Sequence, residues 1–182
     1  MVKAVATDAA AIKVSKQMRE RELYRPVCDW LARFLRQKYR SAAVRVEDTS
    51  RSSVAEFLRR HELTTYVPYW VTLEVPADVT GAAVLTGRPH RTLLRLAIVE
   101  VKLNVINLRD LSQAIGYAKV VQPHYAFLVS PKGWTENLQR LVRDYQRSDV
   151  LEYAPQRWLA VARWDHASGS VRTGEFLLPG IP

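Results

Sequence analysis

The chain of 182 residues is 48% hydrophobic and 25% charged, an ordinary globular balance with enough length for one well-filled core, which excludes a disordered chain. Its single cysteine excludes an internal disulfide and a cysteine-based zinc site. The 27 Lys and Arg residues against 18 Asp and Glu leave a charge of +9, a surplus that points to a polyanionic partner, nucleic acid first among them.

Residues 1–15 are small and mixed, and the composition predicts a loosely ordered start. Lys13, Lys16, Arg19 and Arg21 interrupt any signal-peptide core, and no apolar run approaches the roughly 18 residues of a membrane span. One reducible cysteine and no leader favour the cytoplasm, with no membrane partner. From Lys16 to about Tyr39, Leu23, Val27, Trp30, Leu31 and Phe34 fall at helical spacing, with Pro26 marking a bend or a later start near Arg25. Residues 42–48 alternate as a strand. Ser50 to Ser53 read as a loop or cap, and Ser53 to His61 as a short helix.

Residues 65–86 are β-branched and aromatic, interrupted by proline, and predict two strands or one bent strand. Gly87 to His90 reads as a turn, and residues 93–103 as a central strand apolar on both faces. Asn107, with Asp110 three residues on, caps a helix through Val121, which Pro123 ends. His124 to Ser130 is a further buried strand. Trp134 to Arg147 reads as an amphipathic helix with Leu138, Leu141, Val142 and Tyr145 inward, and residues 157–178 as a closing hairpin. The strand–helix–strand unit at 94–130 requires a parallel pair. The expectation is therefore a single domain over residues 1–182, α/β or α+β in class, with a mixed central β-sheet flanked by helices.

The chemistry concentrates at Glu100-Val101-Lys102. A strand puts Glu100 and Lys102 on one face, and burying both at the end of an apolar strand is costly unless they are paired or bind a metal. A plain ion pair satisfies that requirement too. A hairpin that sets Asp78 on the strand next to Glu100 would instead assemble the parts of metal-assisted phosphodiester hydrolysis. Two carboxylates and a backbone carbonyl, that of Val101, hold hard Mg²⁺. The metal lowers the pKa of its water, and the lysine orients that water or offsets developing charge.

Pro76-x-Asp78, Glu100-x-Lys102 and Gln113-Ala-Ile-Gly-Tyr117 together resemble the PD-(D/E)XK nuclease superfamily, in its RecB-like Q-h-x-x-Y branch. The likeness covers roughly residues 18–130 and departs from the pattern in having Ala77 between Pro76 and Asp78. It implies a three-layer restriction-endonuclease-like domain, an Mg²⁺-dependent deoxyribonuclease in which Mn²⁺ substitutes, and a helix projecting Gln113 and Tyr117 toward the site. It also implies a glutamate from the first helix. At 100° per residue Glu20 lies about 40° to 60° from the centre of the apolar stripe and Glu22 on roughly the opposite side, so Glu20 is the choice. Lys132, Arg140 and Arg143 are the candidate DNA contacts, and a homodimer would suit an enzyme making two cuts. The competing expectation is a catalytically silent nuclease-fold protein that binds DNA or assembles with a partner. Asp48 and Glu74 are alternative acids, the four histidines show no ligand spacing, Cys28 reads as core, and Trp134 either packs or stacks on a base.

Overall fold

The computed structural model describes the backbone of residues 3–86 and 92–180, and the side chains from Glu20 onward within those limits, Thr173 excepted. The order is α1 (Lys3–Lys38), β1 (Ala43–Asp48), α2 (Val54–Arg60), β2 (Val79–Thr86), β3 (Thr92–Val101), α3 (Leu108–Val121), β4 (Tyr125–Ser130), α4 (Glu136–Gln139), β5 (Glu152–Ala154), β6 (Arg157–Asp165) and β7 (Ser170–Phe176). The seven strands form one mixed sheet, ordered β1-β2-β3-β4-β6-β5 with β7 also on β6. The β1–β2 and β2–β3 pairs are antiparallel, and β3–β4 and β4–β6 are parallel. The α/β class and the mixed sheet flanked by helices are as the sequence leads one to expect.

Alternation along the strands decides what lies on each face. Val79, Ala83, Ala97, Val99, Val101, Phe127 and Val129 bury against Leu23, Val27, Trp30, Leu31 and Leu35 of α1. The intervening residues, among them Ala82, Leu96, Ile98, Ala126 and Leu128, bury against Phe57 and Leu58 of α2 and Leu111, Ala114 and Ala118 of α3. Two apolar cores thus sandwich the sheet, and three layers result.

Several expectations need correction. The backbone of residues 3–15 is helical and continuous with α1, as suits an alanine-rich stretch. The helix also runs through Pro26. The proline leaves the carbonyl of Glu22, an exposed residue, without its helical donor. Residues 65–78 form no strand. Pro68 and Pro76 offer no N–H, and the amides of Val67, Trp70, Thr72 and Leu73 bond three residues back in tight 3₁₀ turns. Only Val79–Thr86 of that region is a strand, and the turn expected at Gly87 to His90 lies outside the described residues.

The helix expected over Trp134 to Arg147 is one α-turn, α4, that widens into a π-turn over Arg140–Asp144, where the Tyr145 amide bonds the Arg140 carbonyl at 2.9 Å. The wider turn breaks the 3.6-residue phase. Leu138 and Val142 stay buried, whereas Tyr145 is 73% exposed. The caps at Ser53 and Asn107 are as read: each side chain accepts from the helix, and Glu56 and Asp110 reach back to the cap amides.

His124, one of the four histidines without ligand spacing, has a structural place instead. Just before β4, it brackets Leu96 in the middle of β3, its amide donating to the Leu96 carbonyl at 2.7 Å and its Nδ1 accepting from the Leu96 amide at 3.3 Å. Burial, with Arg95 and Arg157 nearby, pushes its pKa down to about 4. Unfolding restores an ordinary imidazole, so the unfolded chain binds more protons between pH 6.5 and 4. Stability is therefore lost as pH falls through that window. Since the ring is only half-buried, the loss is on the order of 1–2 kcal/mol. His124→Asn keeps an acceptor for Leu96, and melting curves at pH 7.5 and 5 should show a smaller acid loss than in the parent. An equal loss in both would place the acid sensitivity elsewhere.

Candidate functional site

The register fixes the site. Val79 pairs with Val99 across β2 and β3, which sets Asp78, one residue before β2, opposite Glu100 near the end of β3. Asp78 opens its strand instead of closing a preceding one, but the hairpin brings the two acids to neighbouring strands as expected. On the other side, the parallel pair Val101–Val129 places the end of β4 and its turn beside the Lys102 end of β3, where the Lys102 amide donates to the Val129 carbonyl at 2.9 Å.

Glu100 faces the α3 side and is only 7% exposed. Its Oε1 accepts from Lys102 Nζ at 2.9 Å and from Gln113 Nε2 at 3.1 Å. Gln113 Nε2 also lies 3.1 Å from the Tyr117 hydroxyl, four residues along the same helix face. The other oxygen, Oε2, is buried and has no hydrogen-bond partner. Asp78 is held from two directions: Oδ2 accepts the Val101 amide at 2.8 Å, and Oδ1 accepts the Tyr24 hydroxyl of α1 at 3.0 Å. Asp78, Glu100, Lys102, Gln113 and Tyr117 therefore stand together.

The electrostatics follow from crowding buried acids. Burial pushes the Asp78 carboxyl up to about 6, although the Val101 and Tyr24 hydrogen bonds and the Lys102 charge pull it back in part. Burial and the neighbouring Asp78 charge push Glu100 up to about 7 against the pull of Lys102. For Lys102, burial acts downward, but the charge and hydrogen bond of Glu100, reinforced by Asp78, more than offset it and hold the ammonium above its ordinary value. The Tyr24 hydroxyl is driven well above the usual phenol range by burial and by Asp78. Glu20 is half-buried, and its charge helps to raise Asp78, Glu100 and Tyr24, whereas Glu22 is exposed. The less exposed of the two glutamates is the one on the side of the apolar stripe.

Two hard carboxylates, one with an orphaned buried oxygen and the other held by the Val101 amide, are donor chemistry that suits a small divalent cation. Among the described residues no group of three or more His, Cys, Asp and Glu side chains gathers that could by itself hold a metal ion.

The candidate DNA contacts are unequal. Lys132 is exposed on the turn after β4, beside the Lys102 end of β3. Arg140 pairs with Glu136 within its own helical turn. Arg143 is a fastener: it donates to the carbonyls of Phe176 and Leu177, both at 2.8 Å, and its guanidinium lies over the Trp134 ring. Trp134 packs there and donates to Gln139. Glu74 and Asp48 are exposed, and His61 pairs with Glu47. Cys28 is half-buried, with burial and Asp48 pushing its thiol up to about 12, the reverse of an activated nucleophile.

A cavity of about 250 Å³ is lined by residues that include His124, Tyr125 and Trp158, at the start of β4 and away from the acids. Among the described residues, no helix is long and apolar enough to cross a membrane. The sequence reading missed Tyr24. The signal was present, since Tyr24 is four residues from Glu20 and shares its helix face. Comparison with protein-family models, with curated proteins and with solved structures finds no match.

Proposed function

We propose that the protein is a metal-dependent deoxyribonuclease of the PD-(D/E)XK type, with a restriction-endonuclease-like three-layer fold, hydrolysing phosphodiester bonds of DNA. The observation that carries this reading is the buried, unpartnered Oε2 of Glu100 beside Asp78, since an orphaned carboxylate oxygen in a site of raised carboxyl pKa calls for a cation. The mixed sheet between helical layers, and the gathering of the Asp78, Glu100-x-Lys102 and Gln113/Tyr117 motifs at one edge, support it.

Asp78, Glu100 and the Val101 carbonyl would hold Mg²⁺ or Mn²⁺, which supplies an activated water and offsets charge on the phosphorane. Lys102 contributes its positive charge beside the reacting phosphate and orients the attacking water. Gln113 fixes Glu100 and, with Tyr117, lines the approach from α3. Glu20 reinforces the acidic field from α1.

Labelled duplex, flap and single-stranded DNA incubated with Mg²⁺ or Mn²⁺ should be cut, and EDTA should stop the cutting. The surplus of nine positive charges should make binding electrostatic, with log affinity falling by about 0.9 per phosphate contact for each unit of log salt. Lys132→Glu should weaken binding to all sequences alike. Binding indifferent to salt would detach the charge surplus from DNA. A second reading, a nuclease-fold protein that binds DNA or a partner without cutting, is favoured by the closure of Lys102 onto Glu100 as an ion pair. Under that reading excess Mn²⁺ leaves the melting temperature unchanged, whereas a metal at 100 times its Kd stabilises by about 2.7 kcal/mol.

A further inference from the structure

Asp78 and Glu100 are not supported alike. Glu100 is anchored through one oxygen by Lys102 and Gln113 and leaves the other without a partner. Asp78 has one hydrogen bond on each oxygen, and the two come from different layers of the fold. The Val101 amide is part of the sheet, and the Tyr24 hydroxyl belongs to the helix packed across it. A carboxylate oxygen accepts more than one bond, so each Asp78 oxygen keeps capacity for a cation while its orientation is set from both sides. Tyr24 is itself buried between α1 and the sheet, so its ring cannot swing away without opening the α1 core.

We propose that Tyr24 is a positioning residue for the metal site. Resting on the nuclease reading above, its hydroxyl clamps Asp78 against the Val101 amide in the orientation that receives a divalent cation beside Glu100. The hydroxyl touches neither the metal nor the phosphate and acts only through Asp78. Losing such a support to a ligating carboxylate typically lowers metal affinity by about 10- to 100-fold. The loss should appear in the metal requirement more than in the chemistry, because Asp78, Glu100 and Lys102 all remain.

The experiment compares the parent with Tyr24→Phe, which keeps the ring and removes only the hydroxyl. Mn²⁺ binding is titrated by the disappearance of the free-ion EPR signal. Cutting is measured against Mn²⁺ concentration, and metal-free melting temperature serves as the folding control. The expected result is about 10- to 100-fold weaker Mn²⁺ binding and a matching shift in the Mn²⁺ needed for half-maximal cutting. Saturating Mn²⁺ should restore most of the turnover, and metal-free melting should stay close to the parent. Parent-like Mn²⁺ binding in the variant overturns the positioning role and leaves the nuclease reading standing. Tighter binding overturns it too, by showing that the hydroxyl blocks the ion. A turnover defect that saturating Mn²⁺ does not relieve assigns Tyr24 to packing alone. A parent protein that takes up no Mn²⁺ overturns the nuclease reading and this proposal together. If Tyr24→Phe melts early, Tyr24→Trp provides a second probe that fills the site without the phenol oxygen, read by the same titration.

Discussion

Glu100→Gln is expected to reduce cutting by about three orders of magnitude or more, equivalent to about 4 kcal/mol of transition-state stabilisation, while DNA binding stays near the parent level. The substitution keeps the shape of the side chain and an acceptor for Lys102 and Gln113, so the local hydrogen bonds at 2.9 and 3.1 Å can persist. What it removes is the negative charge at the orphaned oxygen, on which the proposed cation site depends. Single-turnover cleavage of a labelled duplex in saturating Mn²⁺ is the measurement, and a variant that cuts like the parent would remove Glu100 from the ligand set.

The same variant has a stability signature without metal. The folded-state pKa of Glu100 is raised above its unfolded value, so the folded protein binds the extra proton between about pH 4.5 and 7. Stability from this group is present below that window and lost as pH rises through it. The glutamine has no proton to lose. The fall in metal-free stability between pH 5 and 8 should therefore shrink in Glu100→Gln, by on the order of 1–2 kcal/mol, leaving the part due to Asp78. A pH profile identical to the parent's would show that the buried carboxylate carries no such strain.

The second large effect is expected at Gly81, on β2 beneath α1. A Cβ there would lie 2.8 Å from Leu31 Cδ2 and 3.2 Å from both Leu35 Cδ1 and Val46 Cγ2. Leu31 and Leu35 are fully buried, so their methyl groups have little room to retreat. Gly81→Ala should cost about 1–3 kcal/mol by overpacking, and Gly81→Val, with two further methyl groups, about 3 kcal/mol or more. For a chain of this size the latter means a melting temperature lower by roughly 6–12 °C. Where α1 shifts from the sheet to make room, it carries Tyr24 from Asp78, and Mn²⁺ binding should weaken in step. Calorimetry with Mn²⁺ titration reads both, and an unchanged melting temperature in Gly81→Val would show that α1 does not rest on this glycine.

The parts of the site that could be read along the chain are those governed by short, local rules. Strand alternation puts Glu100 and Lys102 on one face, helical spacing puts Gln113 and Tyr117 on another, and the phase of Leu23, Val27, Leu31 and Phe34 separates Glu20 from Glu22. The caps at Ser53 and Asn107 are equally local, because side chain and amide are three residues apart. Local rules also misled where a tertiary demand overrode them. The β-rich composition of residues 65–78 did not make a strand, since its prolines cannot donate to a ladder. Tyr145 turned outward because a π-turn altered the phase of its helix. Arg143, counted among the DNA contacts, was captured by carbonyls more than thirty residues away.

By itself, then, the sequence determined the secondary-structure class, the central strand with its acid and lysine, the helix that follows it, and which glutamate of α1 shares the buried side. Each rests on a periodicity that a few neighbouring residues enforce whatever the rest of the chain does. Only the tertiary structure decided the register that sets Asp78 directly opposite Glu100 within the expected hairpin, that one oxygen of Glu100 is sealed from both water and partners, and that Tyr24 reaches across from α1 to Asp78. Those features depend on strand register, on burial and on the approach of a helix over fifty residues away. Such distances are set by how two apolar cores close on a sheet, and no local pattern encodes them.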